Sequence, residues 1–282
     1  MALPAIRIGE HSFTRLILGS NPVSGYNHDN PELTAEMTDY FTMKNAKALL
    51  RRAEAAGINV FQGRVDRWIQ HLMHEYWAEG GTMKLICQTA SEMADIRGNI
   101  LLGAKLGASA VYHHGTETDN YWRENRIDEL EDVMKVARDA GVAVGVGSHT
   151  PEVIEYMEEH DWDIDFYMTS FYNVYKNVKG RRKSFILTGK FIKDCFEEED
   201  RKRMCETIRK VKKPCLGFKI LAAGKHCETV ETREAAFSFA YENIKPSDAV
   251  VVGMYQKHSD QVGENVAFAE KFATLSKPVT AG

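Results

Sequence analysis

The chain is 282 residues long, 44% hydrophobic and 27% charged, with a formal net charge of −4. That charge argues against nucleic acid as the main partner and offers no general attraction to an anionic membrane. No run approaches the ~20 apolar residues that a membrane-spanning helix needs, and Met1–Gly9 lacks the pattern of a secretory leader. Cys87, Cys195, Cys205, Cys215 and Cys227 are odd in number and widely spaced. They predict reduced thiols in a cytoplasmic protein rather than a disulfide framework. What remains is a globular chain with a small-molecule partner, and homo-oligomerisation is left open.

In chain order, Ile6–Ile8 and Ser12–Thr14 flank Gly9–Glu10 and predict a small hairpin. Eight short apolar runs follow. The first four are Arg15–Ser20, Ile58–Gln62, Lys84–Gln88 and Ala108–His113. The last four are Val142–Ser148, Asp165–Ser170, Cys215–Leu221 and Ala249–Gly253. Amphipathic helical patterns fall between them at Lys44–Ala56, Ile127–Ala140, Pro151–His160, Glu198–Val211, Thr232–Asn243 and Asp260–Thr274. Strands alternating with helices imply βαβ units and a parallel sheet. A count of eight favours a closed (β/α)8 TIM barrel over an open sheet, and no GxGxxG turn follows the first run. The expected architecture is one α/β barrel domain over residues 1–282, with the hairpin plugging its bottom. Two long connections, Asn21–Met43 and Val174–Glu197, lie on the strand-to-helix side, where such barrels keep their active sites.

Polar residues at the ends of the runs are therefore the candidates for chemistry. His114, His149 and Lys219 are the candidate catalytic residues; Asn21, Gln62, Arg64, Gln88, His113, Tyr172 and Asn173 are candidates for substrate binding. Alternation along the fifth run turns Ala143, Gly145, Gly147 and His149 inward. The same argument in the seventh run turns Cys215, Gly217 and Lys219 inward and Leu216, Phe218 and Ile220 toward the helices. Parity does not decide between His113 and His114. No run ends in Asp or Glu; Asp66, Glu117, Asp119 and Glu152 lie just beyond. Because Mg²⁺ and Mn²⁺ want carboxylate oxygens, no metal site is assigned. The basic run Lys179–Lys183 reads as a solvated loop tip or as a lid bringing positive charge over a phosphorylated or carboxylated substrate.

The opening hairpin followed by LILGSNP, then AEAAGINVFQGR, AVYHHG, the long segment GVAVGVGSHTPEVIEYMEEHDWDIDFYMTSFYN, and VVVGM with QVGENV resemble the aldo-keto reductase superfamily over nearly the whole chain. The resemblance implies a barrel, a nicotinamide cofactor and a tetrad of aspartate, tyrosine, lysine and histidine. This chain departs from the tetrad. Gln62 stands at the aspartate position, the tyrosine position falls near Arg67, Gln88 replaces the lysine, and only the histidine is kept, as His114. In that family tyrosine gives the proton to the carbonyl, with its acidity tuned by lysine and aspartate; glutamine cannot do this.

The leading expectation is an enzyme of isomerase, epimerase or lyase type. It would act on a small sugar-like carbonyl or hydroxy compound through His and Lys acid–base chemistry. The alternatives are an NAD(P)H-dependent reductase whose proton donor has moved to Tyr26, Tyr112 or Tyr172, a metal-assisted isomerase or lyase, and a non-catalytic binding barrel.

Overall fold

The computed structural model describes residues 3–27, 30–177, 180–182 and 195–274. The chain begins with an antiparallel hairpin, β1 (Ala5–Ile8) and β2 (His11–Thr14). It continues with β3 (Leu16–Gly19), α1 (Pro31–Tyr40), α2 (Met43–Ala55), β4 (Val60–Arg64), α3 (Arg67–Ala78) and β5 (Lys84–Gln88). The middle third holds α4 (Ile96–Leu106), β6 (Ala110–His113), α5 (Gly115–Arg123), α6 (Glu129–Asp139), β7 (Ala143–Ser148) and α7 (Pro151–Glu159). The last part holds β8 (Phe166–Ser170), α8 (Glu198–Lys210), β9 (Cys215–Phe218), α9 (Val230–Asn243), β10 (Ala249–Gly253) and α10 (Gln261–Phe272).

Strands β3 to β10 are all parallel and close into an eight-stranded barrel in sequence order. Each is short and buried nearly throughout, as expected for strands covered on both faces. The eight apolar runs of the sequence are these eight strands, with ends differing by up to three residues. A helix unforeseen in the long first connection is α1. Asn30 caps it by accepting from Leu33 N–H at 2.9 Å, and Pro31 occupies its first turn.

Two cores result. The barrel interior is filled by Ile17, Val60, Ile86, Phe166, Leu216 and Val251, with Ile6, Ile8 and Phe13 of the hairpin sealing the bottom. A larger layer between strands and helices contains Leu18, Phe61, Leu85, Val111, Val144 and Val146. Truncating a ring such as Phe166, which is fully buried, to alanine would cost roughly 3–5 kcal/mol.

One expectation is corrected. In β9 it is Leu216 that fills the barrel, with Phe218 packed against that cluster, while Cys215 faces the helices. Lys219 nevertheless reaches the cavity, because the strand ends at Phe218 and Lys219 adopts a left-handed backbone conformation, φ +63°. Alternation fails at the first residue that leaves extended geometry.

Candidate active site

At the C-terminal mouth of the barrel the structure has a cavity of about 570 Å³. It gathers Asn21, Gln62, Arg64, Gln88, His114, His149 and Lys219 from the ends of β3, β4, β5, β6, β7 and β9. Tyr26 and Tyr112 also line it. Three sequence candidates lie elsewhere. His113 is buried on the opposite side of its strand, with Nδ1 2.8 Å from Thr118 Oγ1. The Tyr172 hydroxyl is 3.0 Å from His226 Nε2, outside the cavity wall. Asn173 lines a smaller recess of about 160 Å³ that shares only His149 with the main cavity.

His149 follows β7 and its orientation is fixed from three sides. Its Nδ1 lies 2.8 Å from Asp119 Oδ2, while its ring is 4.6 Å from that of Tyr175 and meets Phe218 edge-on at 5.4 Å. Asp119, on α5, is 1% exposed and also accepts from Ser148 Oγ at 2.5 Å and from the His149 backbone N–H at 3.2 Å. A carboxylate can only accept, so it places the proton of a neutral His149 on Nδ1 and makes Nε2 the basic nitrogen. No periodic signal marks Asp119: it lies one turn into a helix, and its partner is 30 residues away.

His114 has the opposite tautomer. It is the N-cap of α5, and its Nδ1 accepts from Thr116 N–H at 3.2 Å. Burial drives its pKa well below the usual histidine value, and Arg64, His149, His113 and Lys219 push it the same way. A neutral ring whose Nδ1 is an acceptor carries its proton on Nε2, so His114 is a hydrogen-bond donor without charge. Two glycines let these rings approach. A Cβ at Gly115 would stand 3.2 Å from His149 Cε1, and one at Gly147 would stand 3.0 Å from the His113 carbonyl oxygen. The start of α5 therefore packs directly on β7.

The carboxylates near the strand ends have other duties. Asp66 caps α3, accepting from Ile69 N–H at 2.9 Å, and lies 3.4 Å from Arg64 Nε. Glu117 pairs with Arg181 at 2.7 Å, and Glu152 lies 3.4 Å from Arg203. Among the described residues no group of three or more His, Cys, Asp or Glu is placed to hold a metal ion. From the basic run, Arg182 lines the cavity, while Lys179 and Lys183 lie outside the described residues. Tyr175 and Arg182, which no strand-end rule singles out, complete the wall around His149.

No family model and no curated protein matches the sequence. Solved structures do match. An aldo-keto reductase, AKR11C1 of Bacillus halodurans in its holo form, superposes with a TM-score of 0.60 at 14% identity, covering 99% of this chain and 93% of that one. The fold is a closed (β/α)8 barrel of the kind this reductase has. The apo form of Gox0644 matches with a TM-score of 0.55 at 9% identity, over 100% of this chain and 97% of the other. A truncated 3-deoxy-D-arabino-heptulosonate 7-phosphate synthase of Thermotoga maritima matches with 0.53 at 11%, over 97% and 92%.

The positions that the sequence resemblance compares with a reductase tetrad lie as follows. Gln62 and Gln88 line the cavity, and Gln88 Nε2 donates to the Tyr112 hydroxyl at 2.8 Å. Burial raises the Tyr112 pKa, and its hydrogen-bond partner is an amide rather than an ammonium. Arg67 begins α3. The nicotinamide nucleotide that the sequence resemblance implies needs backbone N–H groups or cations for its phosphates. At the β9–β10 end both helix starts are occupied. Asp260 caps α10, accepting from Gly263 N–H at 3.1 Å and pairing with Arg52 at 2.7 Å, and Thr229 closes a capping box on α9. These residues are a poor match to a dinucleotide's phosphates.

Proposed function

We propose that the protein is an enzyme that moves a proton on carbon next to a carbonyl in a small, sugar-like molecule, as an isomerase, epimerase or lyase does. The observation that carries this reading is the pairing, in one cavity, of an Asp119-oriented His149 with a His114 held neutral in the opposite tautomer. Groups whose environments set them to different acid–base tasks are the mark of proton-transfer catalysis.

His149 Nε2 takes the proton from the carbon beside the carbonyl. The C–H electron pair becomes a C=C bond, and the carbonyl π pair moves to oxygen. His114 and Lys219 line the cavity that holds that oxygen, and a preorganised donor stabilises the charge as it develops. His114 gives its proton to the oxygen and regains one from the neighbouring hydroxyl. Return of the first proton to the other carbon of the enediol gives the isomer. The epimer forms when His114 instead takes its proton back from the oxygen it protonated and water delivers a proton to the opposite face of the first carbon, His149 releasing its own to solvent. Gln62, Gln88 and Asn21 line the wall where they can orient hydroxyls. A reductase with Tyr112 as relocated proton donor is the competing reading, and the occupied helix starts disfavour it.

The test is deuterium wash-in from D2O into a panel of keto- and hydroxy-sugars and their acids, followed by proton NMR. Wild type should exchange one carbon-bound hydrogen of at least one member. His149→Gln should lower that rate by about 10²–10⁴-fold, and Lys219→Met should abolish it, both with little change in melting temperature. Exchange retained in either variant sinks the assignment. Tight NADPH binding would move the reading to the reductase.

A further inference from the structure

We propose that the β4–β6 wall of this cavity is a binding subsite for an uncharged polyhydroxy chain, held by Gln62, Gln88 and Tyr112. This rests on the reading of the cavity as the active site. It names what the substrate carries against that wall: free hydroxyls, rather than a charged or an apolar group.

Alternation places the three side chains on the barrel face of adjacent strands. Gln88 stands in register between Arg64 and Tyr112. Gln62 lies one layer deeper, in register with Gly19 on one side and Ile86 on the other. Neither neighbour offers its amide a side-chain donor or acceptor. Gln62 is only 8% exposed and lines the cavity, and among the described residues its amide has no hydrogen-bond partner. A buried amide without a partner destabilises a fold, whereas an apolar side chain there would not. The packing of the barrel therefore gives no reason for glutamine at this position, and a ligand does.

The pair above it is also incompletely used. Gln88 Nε2 donates to the Tyr112 hydroxyl at 2.8 Å, which leaves the Tyr112 O–H to donate and Gln88 Oε1 to accept. Tyr112 is 2% exposed, braced edge-on against Phe166 at 6.4 Å, and in register on its far side with Gly145, which has no side chain. Burial raises its pKa, so the phenol keeps its proton at neutral pH. Arg64, beside Gln88, has its charge matched by Glu92 and by Asp66.

The wall thus presents donors and acceptors side by side. A carboxylate or phosphate only accepts, and would set its oxygens against two amide carbonyls. An ammonium only donates. A hydroxyl does both, and successive hydroxyls on a carbon chain meet an amide and a phenol in turn.

Titration with D-glucitol, D-mannitol, galactitol and ribitol tests this without knowledge of the true substrate. The readout is ¹⁵N–¹H NMR of the side-chain amides, assigned with Gln62→Leu and Gln88→Leu. At least one polyol should shift the Gln62 and Gln88 signals saturably. It should bind at least about tenfold more tightly than 1,6-hexanediol, which has hexitol length without the inner hydroxyls. Gln62→Leu should lose at least about tenfold in that affinity, and Tyr112→Phe about threefold or more. No saturable shift with any polyol, hexanediol binding as tightly, or unchanged affinity in Gln62→Leu overturns the proposal; the last would mean that water alone meets the amide. The wild-type comparison decides even where a variant folds poorly. Polyols have no carbonyl and do not turn over, so failure here leaves the deuterium result intact. Polyol binding without wash-in removes only the proton-transfer reading.

Discussion

Buried charge occurs at both ends of the barrel, and the two ends use it differently. Beneath the cavity, Arg15 is 3% exposed and donates to the carbonyls of Asp248 at 2.7 Å, Lys245 at 2.9 Å and Ala273. Asp248 is fully buried and accepts from Cys215 N–H at 2.8 Å and Lys245 N–H at 2.6 Å, with Lys245 Nζ at 3.0 Å. These groups tie β3, β9 and the C-terminal helices together, and their donors are directed at the protein's own backbone. At the mouth, Asp119 consumes one nitrogen of His149 and the Thr116 amide consumes one of His114, while both rings line the cavity. Buried charge by itself marks stability as often as function. The distinguishing feature is that the side chains so held line a cavity.

That contrast is open to direct attack. The largest effect belongs to the lower end. Asp248→Ala removes the counter-charge of the buried Lys245 Nζ and the acceptor of two backbone N–H groups, and should cost about 3–5 kcal/mol in urea unfolding. Turnover per folded molecule should be unchanged; a stable variant with altered kcat would break the comparison. At the mouth, Asp119→Asn removes the acceptor that sets the His149 tautomer. It should lower kcat on the order of 10³-fold with only a modest change in unfolding midpoint.

A smaller effect sharpens the picture through pH. Burial lowers the His113 pKa to about 4, with Asp119 opposing. The unfolded chain takes up a proton near the ordinary histidine value of ~6.5 that the folded chain refuses. Stability is therefore full above that value and is lost as the pH falls toward about 4. His113→Gln should make the acid limb of the unfolding midpoint shallower, though not flat, because His114 is depressed in the same direction. An unchanged limb would show that His113 is protonated in the fold.

The barrel was legible because each strand is a short apolar run closed by turn residues, and eight such runs admit few other arrangements. Lys84–Gln88 and Ala249–Gly253 are strands with those very bounds. Most of the mouth was legible too, since seven of the ten site candidates sit at strand ends that meet in one cavity. Side-chain direction was less so. Parity placed the fifth run correctly and inverted the seventh, where Leu216 fills the barrel and the left-handed turn at Lys219 restores that residue to the cavity. His113 faces away from the cavity because alternation along β6 turns Ala110 and Tyr112 inward. Asp119 was visible only as a carboxylate beyond a strand end, since its partner is set by how α5 packs on β7. Arg182 belonged to a charge run that serves equally well as solvated surface until Asn120 clamps it.

The central claim is that one imidazole in this cavity is a base and the other a neutral donor. Long-range ¹⁵N–¹H NMR of the imidazole rings, with His114→Gln and His149→Gln used for assignment, reads this without any substrate. The expected spectrum shows His114 still neutral below the ordinary histidine pKa, with its proton on Nε2, and the proton of neutral His149 on Nδ1 with a downfield shift from its bond to Asp119. His114 titrating at about 6.5, or both rings sharing one tautomer, would contradict the account.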